Sequence, residues 1–175
     1  WHNAANWLIQ ALLWIERRRS RLLDFRIQAN GLNFRYVIDR HTAQRLQQNN
    51  SNSTDDNDGD PQPVDTRPTL LLLHGFGGDV HHWLQVAPLL SKQFRLYVPD
   101  LPGFGETPFP QGEAGNMEAQ AERVLHFMDA VGIDSCIVAG NSMGAYLAAM
   151  LAYHHPQRVD GLWLMNPGGV HGAES

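Results

Sequence analysis

The passage that most constrains this chain is Val138-Ala139-Gly140-Asn141-Ser142-Met143-Gly144-Ala145. An apolar run, Cys136-Ile137-Val138-Ala139, leads into it, and a helix-forming run from Ala145 to Ala152 leads out. Between them stands G-x-S-x-G, the pattern of a strand-to-helix turn so tight that the serine backbone is strained. Gly140 and Gly144 are expected where strand and helix approach too closely for a Cβ. Such a turn lifts the Ser142 hydroxyl clear of the sheet and sets it at a helix N-terminus. There, free N–H groups and the helix dipole favour developing negative charge.

The pattern around this passage is regular. Residues 69–73, Thr-Leu-Leu-Leu-Leu, form a continuous apolar run, as expected for a strand buried on both faces. Further strands are expected at 94–98, 133–139 and 159–165, and helices at 82–90, 117–131 and 143–155. Strand and helix alternating over short connections imply an α/β fold with a doubly wound, mostly parallel sheet. Upstream, apolar and polar residues alternate on both sides of Asn30-Gly31, a strong hairpin signal. The resulting antiparallel N-terminal hairpin belongs on one edge of the sheet.

Two stretches fall outside this pattern. Residues 1–22 carry Trp7, Leu8, Ala11, Leu12 and Ile15 on one helical face, followed at once by Arg17-Arg18-Arg19-Ser20-Arg21. The apolar run is shorter than the ~20 residues that span a bilayer. It reads as the end of a spanning helix or as an interfacial helix with tryptophans at headgroup depth. The other reading is an amphipathic helix docked on the domain or on a partner. If residues 1–21 meet a membrane, the arginines put the domain at 23–175 on the cytoplasmic side; otherwise the chain is simply cytoplasmic. Residues 47–68 are rich in Gln, Asn, Ser, Asp and Pro, and are expected to form a flexible polar surface loop. Their acidic run, Asp55-Asp56-Asn57-Asp58-Gly59-Asp60, lacks the spacing of a calcium loop, and no metal is expected there.

Composition narrows the partners. A formal charge of −5 over 175 residues leaves no footprint for nucleic acid. The single cysteine, Cys136, lies in an expected buried strand and reads as a packed thiol. No cofactor motif is present.

Three motifs fall at the carboxyl ends of strands, where ligands bind in open α/β sheets. They are His74-Gly75-Phe76-Gly77-Gly78, Asp100-Leu101-Pro102-Gly103-Phe104-Gly105 and the G-x-S-x-G passage. Together they resemble the α/β-hydrolase superfamily, and most of all bacterial lipases and membrane-anchored monoacylglycerol lipases. The resemblance implies Ser142 as nucleophile and an oxyanion hole from the backbone N–H groups of Phe76 and Met143. His74, Gly75, Gly140 and Gly144 then shape the loop and the elbow, and Asp100 orders its turn. The alternative for Ser142 is a helix N-cap, a common role for serine.

The resemblance also implies a histidine base and a carboxylate, in the chain order Ser, Asp/Glu, His. After Ser142 come only His154, His155, His171, Asp160 and Glu174. The first two belong at the far end of the helix, and His171 follows the last strand too closely. The triad acid and histidine are therefore expected to be absent from these residues, along with the C-terminal part of the fold. The chain then reads as a fragment, inactive alone, of a serine hydrolase of carboxylic esters, such as acylglycerols. Two alternatives stand beside this: a carbon–carbon bond hydrolase of the meta-cleavage type, which Leu164-Met165-Asn166-Pro167-Gly168-Gly169 also resembles, and a non-catalytic protein that keeps the fold.

Overall fold

Asn30 and Gly31 both adopt positive φ, 46° and 80°, and turn the chain back on itself as a type I′ hairpin. The strands on either side, β1 (Leu22–Ala29) and β2 (Leu32–Asp39), pair antiparallel along their whole length, from Leu22 opposite Asp39 to Ala29 opposite Leu32. A computed structural model describes residues 7, 11, 15, 18–52, 65–112 and 115–168. After α1 (Arg40–Asn52) come β3 (Thr69–Leu73), β4 (Arg95–Pro99), α2 (Met117–Ala130), β5 (Cys136–Asn141), α3 (Met143–His154) and β6 (Val159–Met165). The strands form one sheet in the order β1-β2-β4-β3-β5-β6, antiparallel at β1-β2-β4 and parallel from β4 to β6.

Side-chain alternation divides the core. Leu71 and Leu73 of β3 join Phe34, Tyr97, Val138, Phe127 of α2 and Leu147 of α3 on one face. Leu70 and Leu72 join Leu96, Val98, Ala139, Val80, Trp83 and Leu84 on the other. The unbroken run of leucines is thus a strand covered on both sides, as its apolar pattern required. Cys136 is buried on this sheet, and burial pushes its thiol up to about 12, so it packs as a small hydrophobe.

Two expected elements take a different form. Instead of one helix over 82–90 there is a 3-10 turn, Val80–Trp83, and a single α-turn, Ala87–Leu90. Asp79 caps the first by accepting from the His81 N–H at 2.8 Å. Pro88 has no N–H to continue a helical ladder from it into the second. The polar loop expected over 47–68 is also shorter than its composition suggested, because α1 continues to Asn52. Asp39 caps that helix through the Thr42 N–H at 3.0 Å, and glutamines and Arg45 propagate it. Residues 53–64, with the acidic run, lie outside the described residues, as does most of the N-terminal segment. Within that segment Trp7 and Ile15 are exposed, and no helix among the described residues is long and apolar enough to cross a membrane.

Charged groups brace the hairpin and the sheet. Arg35, 1% exposed, donates to Asp24 from Nε and Nη2 and to buried Asp100 from Nη1 at 3.2 Å. Asp100 also accepts from the N–H groups of Val80 and Glu106, each at 2.8 Å. One carboxylate therefore ties β2, β4 and two loops. At the other end of the sheet, Arg67 grips Asp65 through Nε at 2.9 Å and Nη2 at 2.7 Å.

Removing the Arg35 cation leaves Asp100 buried and uncompensated, so Arg35→Met is expected to cost about 3–5 kcal/mol in urea-unfolding stability. The hydrogen bond from Arg67 holds the Asp65 carboxyl down to about 2. A depressed carboxylate stabilises the fold above the ordinary value of about 4 and loses that contribution as pH falls toward the folded value. Unfolding midpoints measured between these pH values should drop less steeply for Asp65→Asn than for the parent chain.

Candidate active site

The sheet changes winding direction between β3 and β5. β3 leads to β4 on one side, β5 leads through α3 to β6 on the other, and the connections pack on opposite faces. At such a switch point the two carboxyl ends splay apart and leave a crevice. His74-Gly75 after β3 and Asn141-Ser142 after β5 stand on its two sides.

Ser142 has φ 53° and ψ −113°, a conformation ordinary for glycine and costly for any residue with a Cβ. Its surroundings impose it. The Ser142 N–H donates to the Met165 carbonyl at 2.9 Å, and the Ser142 carbonyl accepts from Ala145, Tyr146 and Gly168 N–H groups at 3.1–3.2 Å. The serine hydroxyl makes no capping hydrogen bond to α3, so the N-cap role does not describe it. Met165 and Gly168, which brace the turn from β6, escaped the sequence reading. The Asn-Pro-Gly turn after β6, with Asn166 at φ 45°, was the available signal.

The glycines fit their expected places. A Cβ on Gly140 would lie 2.2 Å from the Gly144 backbone, and one on Gly144 would lie 2.3 Å from the Leu73 carbonyl oxygen. Helix α3 therefore starts against the backbone of both β5 and β3. A Cβ on Gly75 would come within 3.4 Å of the Ser142 Cβ, so the loop after β3 lies directly against the turn. Phe76 follows in that loop, its ring 82% exposed and edge-on to Phe104 at 5.3 Å. Met143 is the first residue of α3, where an N–H has no partner within the helical ladder.

His74 is fully buried, with Nδ1 2.8 Å from the Gly75 carbonyl oxygen. Its Nε2 accepts the Leu101 N–H at 2.9 Å. Nδ1 is thus the protonated nitrogen and both are engaged. Burial lowers the His74 pKa, against the opposing pull of the Gly75 carbonyl. A neutral imidazole with no free nitrogen orders the loop and cannot collect a proton from Ser142. Asp100 is likewise spent on backbone N–H groups and Arg35. Gly105, at φ 55°, is required because a Cβ there would sit 2.2 Å from the Asp100 carboxylate.

The remaining candidates are not brought to the crevice. His154 ends α3 and His155 follows it, about 17 Å along the axis from its first turn at ~1.5 Å per residue. His155 pairs with Glu122 at 3.0 Å. Asp160 opens β6, at the opposite end of the sheet, and accepts from the Ser135 hydroxyl at 3.0 Å. His171 and Glu174 lie outside the described residues. Among the described residues no hydrogen bond joins an imidazole to the Ser142 hydroxyl, and no group of His, Cys, Asp and Glu could hold a metal.

Comparison with known proteins converges on this architecture. The profile of the alpha/beta hydrolase fold family matches residues 68–174. The chain belongs to that family. Within the α/β-hydrolase family it is 39% identical over 105 residues to Lipase 1 of Psychrobacter immobilis, covering 59% of this chain and 33% of that one. It is 40% identical over 101 residues to the dihydrolipoyllysine-residue acetyltransferase component of the acetoin cleaving system of Cupriavidus necator, covering 58% of this chain and 27% of that one. A solved bacterial membrane phospholipase A superposes with TM-score 0.75 at 32% identity, over 96% of this chain and 47% of that one. The chain thus spans about a third of the curated relatives and half of that solved structure.

Strain at Ser142 predicts an unusual substitution. Ser142→Gly is expected to raise unfolding stability by about 1 kcal/mol, because glycine occupies this conformation freely. Ser142→Ala keeps the Cβ and should leave stability within about 0.5 kcal/mol of the parent. Urea midpoints of the two variants check both.

Proposed function

We propose that Ser142 is the nucleophile of a serine hydrolase acting on carboxylic esters. The observation that carries this reading is the serine's strained, uncapped conformation at the switch point, with its hydroxyl spared from capping the helix. Strain of this kind persists where the surroundings over-determine it, and it concentrates at functional sites. In the reaction the Ser142 Oγ attacks the ester carbonyl carbon and its proton passes to a general base. The N–H groups of Phe76 and Met143 hold the tetrahedral oxyanion, and loss of one such donor costs ~3 kcal/mol of transition-state stabilisation. Collapse expels the alcohol, protonated by the same base, and water then releases the acid from the acyl-enzyme.

Lipid esters such as acylglycerols are the proposed substrate class. The exposed Phe76 ring beside Phe104 gives the crevice an apolar lip, and the likeness to a lipase and a phospholipase agrees with it. The general base and its carboxylate partner lie outside the described residues on this reading, since His74 is neutral with both ring nitrogens bonded. The 175-residue chain by itself is then inactive, and activity needs the longer hydrolase. Residues 1–21 would bring the enzyme to a membrane with its catalytic domain on the cytoplasmic face, which the exposure of Trp7 and Ile15 supports.

A fluorophosphonate probe tests the reading on the longer protein. Labelling at Ser142 that disappears in Ser142→Ala is expected, with little or no labelling of residues 1–175 alone. A folded, longer protein that takes no label sinks the enzyme reading and leaves a non-catalytic fold. Turnover of vinylogous diketones with no turnover of glyceryl or p-nitrophenyl esters would instead favour the carbon–carbon hydrolase.

A further inference from the structure

A basic cleft of about 850 Å³ lies at the opposite end of the sheet from Ser142. Arg19, Arg21, Arg40, Arg45, Arg67 and Lys92 line it, against the carboxylates of Asp39 and Asp65. These six are nearly half of the 13 lysines and arginines in a chain whose formal charge is −5. Like charges gathered in one concavity repel each other and focus an attractive field on an anion.

Both carboxylates are already engaged. Arg67 pairs with Asp65 at 2.7 Å and with Asp39 at 3.3 Å, and Asp39 also accepts from Thr42 and from the Leu96 N–H. Arg67 further donates to the carbonyls of Ser91 at 2.6 Å and Phe94 at 3.1 Å. It is therefore the frame of the cleft, holding the turn that carries Lys92, rather than a cation available to a ligand. The cations around it arrive from separate segments: Arg19 and Arg21 before β1, Arg40 at the start of α1, and Lys92 before β4. All four are exposed.

Arg21 adds an independent sign. Its φ is 56°, the left-handed region that glycine and asparagine occupy more cheaply, and its carbonyl accepts the Arg40 N–H at 3.1 Å. That backbone hydrogen bond holds Arg21 and Arg40 next to each other on the wall of one cavity.

We propose that this cleft binds a phosphate ester through Arg19, Arg21, Arg40 and Lys92. Guanidinium forks match the paired oxygens of a phosphate, and several converging cations suit its charge better than that of a single carboxylate. The volume admits an organic headgroup as well as the anion. Two sources share this chemistry, a phospholipid headgroup and a soluble phosphate ester. The apolar run that leads into Arg17-Arg18-Arg19, and the exposed Leu89 on the cleft wall, favour the headgroup. The cleft is about one strand length, roughly 17 Å, from the Ser142 crevice, so the proposal does not depend on the chemistry assigned there.

The test measures binding of sn-glycerol 3-phosphate by titration calorimetry and of phosphatidylglycerol or phosphatidylcholine vesicles by co-sedimentation. The parent chain is compared with Arg40→Gln/Lys92→Gln and with Arg26→Gln/Arg158→Gln, which removes the same charge far from the cleft. Binding of glycerol phosphate and phosphatidylglycerol, weakened at least about tenfold in the cleft variant and less than about twofold in the distant one, is the expected result. Arg19→Gln alone should weaken it at least about threefold, and circular dichroism checks that each variant is folded. Loss confined to vesicles identifies a headgroup at a bilayer surface, and loss with both probes identifies the phosphate itself. Equal weakening in the cleft and distant variants, or no binding of either probe by the parent, overturns the proposal.

Discussion

Helix α3 begins backbone to backbone against β5 and β3, with no room for a side chain between them. Gly140 and Gly144 make it possible, and no side chain could be inserted between those elements without moving one of them. Much follows from that contact. The chain has to leave β5 through a conformation that serine adopts only under constraint. The loop after β3 is drawn against the turn from which α3 starts. Hydrogen bonds from Met165 and Gly168 close the arrangement from the β6 side, so three consecutive strands hold one residue.

Local features of this design were legible in the sequence because they depend on near neighbours. The Asn30-Gly31 hairpin, the leucine strand and the two glycines around Ser142 each express a short-range rule, and each was found where expected. What escaped was long-range or competitive. The alternating pattern gave no hint that Arg35 is buried, because its partners lie elsewhere in the sequence, Asp24 on β1 and Asp100 in the loop after β4. The helix expected after the first motif broke because a proline lacks one N–H, and α1, started by the Asp39 cap, runs on to Asn52 through residues whose composition suggested a loop. For the site, sequence order alone turned attention away from His74. Its two hydrogen bonds supply the physical reason: the imidazole is used up inside the loop that it shapes.

The two ends of the sheet have different characters. The carboxyl ends of the parallel strands are lined by glycines, the buried His74 and the exposed ring of Phe76 packed on Phe104. The amino ends carry guanidinium groups on segments that are distant in sequence, locked together by Arg67. The β1-β2 hairpin joins these ends mechanically, with Arg35 tying it to the loop of Asp100 and Asp39 tying it to β4 at the other. A perturbation at either end therefore has a covalent strand and a buried ion pair through which to reach the other.

Strand β6 closes the sheet on one side. Its consecutive residues Leu162, Trp163 and Leu164 are 44%, 49% and 40% exposed, although Val159 and Met165 pack into the core, and its outer row of backbone groups has no neighbouring strand among the described residues. An apolar strand with unpaired N–H and C=O groups is a template for pairing with another strand. In concentrated solution these residues would recruit β6 of a second molecule, and sheets would extend edge to edge. Lysine in place of Leu162 or Leu164 would act as a gatekeeper against that assembly.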